Sequence, residues 1–172
     1  MVDVPYRELI GGLMYLAVCT RPDIAYAVGV LSRFMMNPGM GHWKVAKGVL
    51  RYLKGTVSKG ILYGESKDIE VYCDSDFAGD IDTRRSTTGW LVKISGGCVS
   101  WASRIQPTVA LSTTEAEYMA AAEAAKEAIW FKKLLEDVGI DMKKDAINIC
   151  CDNQSCIKLI KNPVLQIGRA HV

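Results

Sequence analysis

The sequence predicts an α/β fold: a mixed sheet with flanking helices, preceded by a small segment of three helices. Two observations support this prediction. Apolar residues recur at helical spacing over residues 1–60, whereas short alternating stretches typical of strands follow from residue 61 onward. This second part gives three strands, a long helix, a fourth strand and a last helix, an order typical of α/β domains.

The composition limits the class of protein. A chain of 172 residues that is 49% hydrophobic is enough for one domain, or for a domain with a helical appendage, and disorder is excluded as its main state. The longest early uncharged run, Leu9 to Thr20, has 12 residues and is too short for a membrane span. No secretory signal is visible. The net charge of +2 neither requires nor excludes a nucleic-acid partner.

The small number of histidines and the spacing of the cysteines argue against several common kinds of functional site. With six cysteines, none in a C-x-x-C pair, and only two histidines, the sequence predicts no zinc site of the usual spacing. We expect the cysteines to be reduced and mostly small core residues. No Ser/His/Asp triad, phosphate-binding loop or dinucleotide-binding fingerprint is present.

Three helices are predicted in residues 1–60. The first covers Tyr6 to Val18. The second begins at Thr20-Arg21-Pro22-Asp23, which offers a cap, an early proline and an acid in the first turn, and it ends before Asn37-Pro38-Gly39. The third runs from about His42 to Lys54.

The third helix carries two adjacent stripes. Its apolar stripe consists of Ala46, Val49, Leu50 and Leu53. Its basic stripe consists of Lys44, Lys47, Arg51 and Lys54. The charge pattern alone favours a solvated helix face, and the alternative is a contact to nucleic-acid phosphates.

The α/β part begins with an alternating strand, Ile69 to Asp74, and continues with strands at Thr88 to Ile94 and Cys98 to Ala102. Ser95-Gly96-Gly97 predicts a hairpin turn between the latter two. The remaining elements are a long helix from about Thr113 to Val138 ended by Gly139, a strand at Ala146 to Cys151, and a short helix at Asn153 to Lys161.

Asp74 lies near the end of the first strand. Asp76 would share its face if the strand continued, because side chains in a strand alternate. The alternative is that Asp74 is an edge residue and that the acids after it, Asp76, Asp80 and Asp82, form a turn with Gly79. The strand pattern does not decide between these two interpretations.

The long helix begins with two overlapping capping boxes, Ser112 with Glu115 and Thr114 with Glu117. Helical phase separates the two acids. Glu115 aligns with two lysines on the expected wet side, whereas Glu117 aligns with an apolar stripe: Ala121, Ala124, Ala128, Phe131 and Leu135. Glu117 is therefore the acid directed into the domain, where a carboxylate is costly unless it is paired or bound to a metal.

Asp152 closes the fourth strand and opens the last helix. Taken alone, it is best interpreted as an N-cap, a common use of Asp at such a junction. Together, however, Asp74, Glu117 and Asp152 can converge at one end of a sheet. Carboxylate oxygens are the ligands that Mg²⁺ prefers, and paired ions promote phosphodiester hydrolysis. The spacing thus raises the hypothesis of a metal-dependent nuclease.

At these residues the sequence resembles the C-terminal part of the Pol polyprotein of copia-type LTR retrotransposons, namely the end of the reverse transcriptase and its ribonuclease H domain. The resemblance covers about residues 4–165. It is carried by these runs: Pro5-Tyr6-Arg7-Glu8, Gly12-Leu13-Met14-Tyr15-Leu16, Thr20-Arg21-Pro22-Asp23-Ile24, Leu31-Ser32-Arg33-Phe34, His42-Trp43, Arg51-Tyr52-Leu53-Lys54-Gly55-Thr56, Cys73-Asp74-Ser75-Asp76-Phe77-Ala78-Gly79-Asp80, Arg85-Ser86-Thr87-Thr88-Gly89, Ser100-Trp101, Leu111-Ser112-Thr113-Thr114-Glu115-Ala116-Glu117-Tyr118 and Cys151-Asp152-Asn153-Gln154.

The resemblance implies a ribonuclease H-like fold that cuts the RNA strand of RNA–DNA hybrids. It implies two Mg²⁺ ions, with Mn²⁺ as a substitute, held by Asp74, Glu117 and Asp152; Asp76 is the alternative first acid. The basic stripe of the third helix would track the hybrid. The implied partners are the hybrid and the rest of the Pol polyprotein, with no membrane and no small-molecule cofactor. The intact family works in cytoplasmic particles and in the nucleus.

The end of the chain departs from the family. A Lys-His-Ile-Asp segment that supplies a fourth carboxylate is expected after Val164, but the chain reads Gln166-Ile167-Gly168-Arg169-Ala170-His171-Val172. This heptapeptide looks like a translated sequencing adapter. The expected organisation is a helical segment of the reverse transcriptase (1–60), a truncated ribonuclease H-like domain (61–165) and an artefact (166–172).

The truncation predicts weak or absent nuclease activity and poor solubility, and the missing palm predicts no polymerase activity. Two alternatives remain at this point. One is a catalytically silent module of the same fold that binds nucleic acid or a partner. The other is a reading frame that encodes no protein.

Overall fold

The computed structural model describes residues 4–64, 68–140 and 146–162. The chain divides into two compact units, Met1–Leu62 and Tyr63–Val172. The heptapeptide at 166–172 lies outside the described residues.

The first unit is helical, as predicted. It contains α1 (Tyr6–Cys19), a short 3₁₀ turn (Pro22–Ile24), α2 (Ala25–Ser32) and α3 (Met40–Gly55). Its core is made of Tyr6, Ile10, Leu13, Ala17, Ile24, Val28, Leu31, Ala46 and Val49. The buried Tyr6 hydroxyl donates to the Leu31 carbonyl oxygen at 2.8 Å, which joins α1 to the end of α2.

Two details of this unit differ from the prediction. The second helix does not begin at Thr20, which instead caps the C-terminus of α1, and α2 ends at Ser32. The chain continues from there in tighter turns, in which the amides of Phe34 and Met35 bond three residues back. Leu50, predicted to belong to the apolar stripe of α3, is 43% exposed.

The second unit contains a four-stranded mixed sheet. Its strands are β1 (Ile69–Ser75), β2 (Thr87–Ile94), β3 (Gly97–Ile105) and β4 (Asn148–Cys150), in the order β3-β2-β1-β4. β1 and β3 both pair antiparallel with β2, and β4 pairs parallel with β1. Ser95 and Gly96 form the predicted hairpin turn, both at positive φ, as a tight two-residue turn requires.

A long helix, α4 (Thr113–Asp137), connects β3 to β4 and packs on the sheet. The stripe predicted to face inward is buried from Ala121 to Phe131, and small alanines allow the helix to lie close to the strands. The helix ends before Gly139, which has a φ of +92°. A short helix, α5 (Gln154–Lys161), follows β4. The core of this unit contains Ile69, Val71, Cys73, Val92, Ala120, Ala121, Ala124, Ala128, Phe131 and Cys156.

The expectation that most cysteines are core residues is only partly correct. Cys73 and Cys156 are buried, Cys98 and Cys151 are half-buried, and Cys19 and Cys150 are exposed, all six as free thiols. Among residues 4–64, 68–140 and 146–162, no helix is both long and apolar enough to cross a membrane.

Candidate metal centre at the ends of β1 and β4

Asp74 and Asp152 lie at the same edge of the sheet because β1 and β4 run parallel. Tyr72 is paired with Cys150 in the register of these strands. Each acid follows its member of this pair by two residues. Both side chains are exposed, so the sheet places two accessible carboxylates at the carboxyl ends of adjacent strands.

Glu117 reaches this edge from the start of α4. The helix begins after Ser112, whose hydroxyl accepts the Glu115 amide at 3.1 Å. Glu115 is exposed, and its carboxylate accepts the Leu111 amide at 2.6 Å. Glu117 is only 6% exposed. The separation of the two acids by helical phase is thereby confirmed.

The backbone amide of Ser75 connects Asp74 with Glu117. It lies 2.8 Å from Asp74 Oδ1 and 3.3 Å from Glu117 Oε1, so both carboxylates accept from the same N–H. This shared donor fixes the two acids relative to the end of β1.

The surroundings of Glu117 make its charge costly. Burial raises the pKa of the Glu117 carboxyl, hydrogen bonds from Ser75 oppose that rise, and the charges of Asp74 and Asp152 add to it. In the described part of the chain, no Lys or Arg forms an ion pair with any of these three acids. Among the residues that the structure describes, this buried carboxylate next to two others therefore has no cationic side chain paired with it.

This arrangement fits a divalent cation. A hard ion such as Mg²⁺ takes carboxylate oxygens, and Asp74, Glu117 and Asp152 are the residues that would hold it. The possible ligand atoms at this site include a sulfur as well as oxygens. Glu117, Cys151 and Asp152 each place a ligand atom within 4.8 Å of those of the other two. The Cys151 thiol donates to Glu117 Oε2 at 3.9 Å.

Asp76, the alternative first acid, has a different role in the fold. Its amide donates to the Thr87 carbonyl oxygen at 3.2 Å, and its carboxylate accepts the Thr87 amide. A Cβ at Gly79 would overlap this carboxylate, which explains the glycine there. Asp76 therefore closes the loop between β1 and β2, as the turn interpretation predicted.

The interpretation of Asp152 as an N-cap is wrong. The cap of α5 is Asn153, whose side-chain oxygen accepts the Cys156 amide at 2.9 Å. The Asp152 carboxylate is therefore not used for capping. The second predicted capping box is not seen either, because the Glu117 side chain bonds to Ser75 and Cys151.

The basic stripe of α3 is a surface of the first unit. All four of its side chains are exposed: Lys44, Lys47, Arg51 and Lys54. The Lys47 ammonium lies 5.7 Å from the centre of the Trp43 ring, within range of a cation–π contact. Exposure agrees with both interpretations of the stripe, the solvated face and the phosphate contact.

Sequence reasoning missed two participants in the site, Ser75 and Cys151. The role of Ser75 depends on its backbone amide, which carries no sequence signal. The sequence predicted a core thiol at Cys151, although its position beside Asp152 in a strand end is a usable signal.

Comparisons with known proteins show that the chain is similar to part of several transposon polyproteins. The retrovirus-related Pol polyprotein from transposon TNT 1-94 of Nicotiana tabacum is 51% identical over 173 residues, which cover 100% of this chain and 13% of that protein. The corresponding polyprotein from transposon RE2 of Arabidopsis thaliana is 41% identical over 169 residues, 97% of this chain and 12% of the polyprotein. The chain thus spans about an eighth of these relatives.

A shorter relative is the secreted RxLR effector protein 161 of Plasmopara viticola, 52% identical over 132 residues, 76% of this chain and 93% of the effector. No family model matches the chain, and no solved structure matches it. The origin suggested for residues 166–172 stays a prediction. Over nearly its whole length, the chain is therefore similar to a short segment of the retrovirus-related Pol polyproteins of plant transposons.

Proposed function

We propose that this chain is a piece of a copia-type Pol polyprotein whose second unit is a ribonuclease H-type endonuclease, which hydrolyses the RNA strand of RNA–DNA hybrids. The observation that carries the proposal is the meeting of Asp74, Glu117 and Asp152 at one sheet edge without a cationic side chain paired to them among the described residues. The mixed sheet with α4 on it agrees with the fold that the resemblance implies.

The chemistry proposed here needs divalent metal ions. When bound, two Mg²⁺ ions lower the pKa of water and stabilise the charge on the leaving oxygen. Asp74, Glu117 and Asp152 are the residues that would hold them. Asp74 is preferred over Asp76 as the first acid, because the Asp76 carboxylate already accepts the Thr87 amide.

The protein itself contributes orientation. The Ser75 amide holds an oxygen of Asp74 and one of Glu117, and the parallel pairing of β1 with β4 sets the position of Asp152. Burial keeps the Glu117 side chain in one place, so little ordering is required when a cation binds. The two exposed acids leave the site open to a nucleic-acid strand.

The proposal is tested with the variants Asp74→Asn, Glu117→Gln and Asp152→Asn, with Glu115→Gln as the matched control on the same helix. Two readouts are Mn²⁺ binding and Mg²⁺-dependent cleavage of a labelled RNA–DNA hybrid. We expect each site variant to lower Mn²⁺ affinity by roughly tenfold or more, as loss of a metal ligand should, and to abolish whatever cleavage the chain shows. Mn²⁺ binding that is equally strong in all variants would overturn the proposal.

The alternative is a catalytically silent module that binds nucleic acid or a partner. The relative that favours it is the secreted RxLR effector protein 161, because the chain matches 93% of a protein whose name denotes an effector. Hybrid binding without cleavage, unchanged by Asp152→Asn in the presence of Mg²⁺, would support this alternative.

A further inference from the structure

A thiol lies within the carboxylate cluster at the end of β4. Cys151 directly precedes Asp152, and its sulfur lies 3.9 Å from Glu117 Oε2. The donor atoms of Glu117, Cys151 and Asp152 all lie within 4.8 Å of one another. Mg²⁺ does not favour sulfur as a ligand, because it selects oxygen ligands and retains much of its water.

Zinc prefers a donor set of this kind. Zn²⁺ is borderline-soft, binds Cys sulfur together with Asp or Glu oxygen, and in open sites takes three protein ligands and one water. We propose that Glu117, Cys151 and Asp152 form a binding site for Zn²⁺, which shares two acids with the magnesium set but depends on the Cys151 sulfur, whose proton is released to solvent when the ion binds.

The geometry requires only a small adjustment. Zn–S bonds of about 2.3 Å and Zn–O bonds of about 2.0 Å put neighbouring ligand atoms of a tetrahedral ion roughly 3.5 Å apart. The Cys151 sulfur and Glu117 Oε2, at 3.9 Å, are close to this separation already. Asp152 is exposed and can close the remaining distance by a rotamer change, whereas buried Glu117 serves as the fixed ligand.

Access to the site agrees with exchange of metal from solution. Burial decreases from Glu117 through half-buried Cys151 to exposed Asp152. An ion can therefore enter from the solvent side, first contacting Asp152. The neighbouring thiols Cys73 and Cys156 lie in the core, so the accessible sulfur of the cluster is that of Cys151.

The consequence for the proposed enzyme is competition. A Zn²⁺ ion on these three ligands would occupy Glu117 and Asp152, two of the acids proposed for magnesium. Zinc would then inhibit the Mg²⁺-dependent reaction through Cys151. The binding of zinc rests on the donor atoms alone, whereas the inhibition rests on the proposed function.

The experiment uses Cd²⁺ as a spectroscopic substitute for Zn²⁺, since a thiolate-to-cadmium bond gives an ultraviolet charge-transfer band. The reduced chain of 172 residues is titrated with Cd²⁺ and then with Zn²⁺ to displace it. Cys151→Ser is the test variant, because a serine hydroxyl can still donate to Glu117. Cys150→Ser, at the adjacent exposed cysteine, is the matched control.

We expect the control to behave as the unaltered chain and Cys151→Ser to lower Cd²⁺ affinity by at least the roughly 10–100-fold that disturbing the surroundings of a metal ligand costs. Glu117→Gln and Asp152→Asn should weaken the band while leaving the thiol in place. Should Cys151→Ser fail to fold, Asp152→Asn at an exposed position still tests the site. If Cys151→Ser and Asp152→Asn both keep a cadmium band with the intensity and affinity of the unaltered chain, the proposal is overturned.

A second readout separates this inference from the proposed function. If hybrid cleavage is observed, zinc should inhibit the Cys150→Ser variant at lower concentrations than those that inhibit whatever cleavage Cys151→Ser retains. If Mn²⁺ binding is equally strong in all the carboxylate variants but the cadmium band depends on Cys151, the zinc site stands and the nuclease proposal fails. If cleavage occurs but the cadmium band does not depend on Cys151, the nuclease proposal stands and the zinc site fails.

Discussion

The fold stabilises the negative charge of Asp23. Arg21 donates to both of its oxygens, at 3.0 and 2.8 Å, and the Tyr52 hydroxyl donates at 2.8 Å. The hydrogen bonds from Arg21 are the largest cause that lowers the pKa of Asp23 from 3.8 to about 2. Arg21 also bonds to Thr56, so this group ties the segment before α2 to the end of α3.

A lowered pKa means that the folded state binds this proton less readily than the unfolded state. The stabilisation is therefore complete above about pH 4 and is lost as the pH falls toward 2. Because 33% of the Asp23 side chain is exposed, we expect Asp23→Asn to cost about 1 kcal/mol at neutral pH. Urea unfolding at pH 7 and pH 2 measures this, with the exposed Glu8→Gln as control. If Asp23→Asn lowers the free energy of unfolding by the same amount at pH 7 and at pH 2, the stabilisation does not depend on the charge of Asp23.

At the same scale, the inward direction of Glu117 could be predicted from the sequence, because α4 is regular and helical phase is a local property. The position of Cys151 beside Glu117 could not be predicted from the sequence. It depends on the parallel pairing of β1 with β4, and no periodicity in the sequence reports which strand lies beside which. The assignment of the α5 cap to Asn153 instead of Asp152 was likewise out of reach, since adjacent Asp and Asn are both good caps.

At the scale of the element, α3 presents an exposed basic stripe, made of Lys44, Lys47, Arg51 and Lys54. If these side chains bind phosphates, binding of a hybrid must release counterions. Replacing all four with Gln should then reduce the slope of log affinity against log salt by about 0.9 for each phosphate that the stripe no longer neutralises. The binding is measured by fluorescence anisotropy without divalent metal. Gln at Lys126 and Lys133 of α4 is the control, and an unchanged slope would identify the stripe as a solvated face.

Element types were predictable from the sequence, but the two ends of α2 were not. The alternation of Ile69, Val71 and Cys73 and the turn at Ser95-Gly96 are local patterns, and both are confirmed. The early end of α2 is not local. There the tighter turns accompany a stacking interaction between Phe34 and His42, whose ring centres are 3.9 Å apart, and helical periodicity carries no information on such a contact with a later segment.

At the scale of the whole molecule, the residues that the structure describes form two hydrophobic cores that share no residue. One lies within residues 6–49 and the other within residues 69–156. Because each unit buries a core of its own, we expect each to unfold cooperatively in its own right. Ile10, fully buried, and Ile69, 7% exposed, are chemically matched positions in the two cores.

Ile10→Ala and Ile69→Ala should each cost about 2–5 kcal/mol, because truncation leaves a cavity in a packed core. Hydrogen exchange followed by mass spectrometry reports where the destabilisation appears. Ile10→Ala should accelerate exchange in α1 to α3, and Ile69→Ala should do so in the sheet and α4. Ile81→Ala, at an 86% exposed position, is the matched control and should change neither. If both core variants accelerate exchange equally throughout the described residues, the chain unfolds as one cooperative body, and its two cores are not energetically separate.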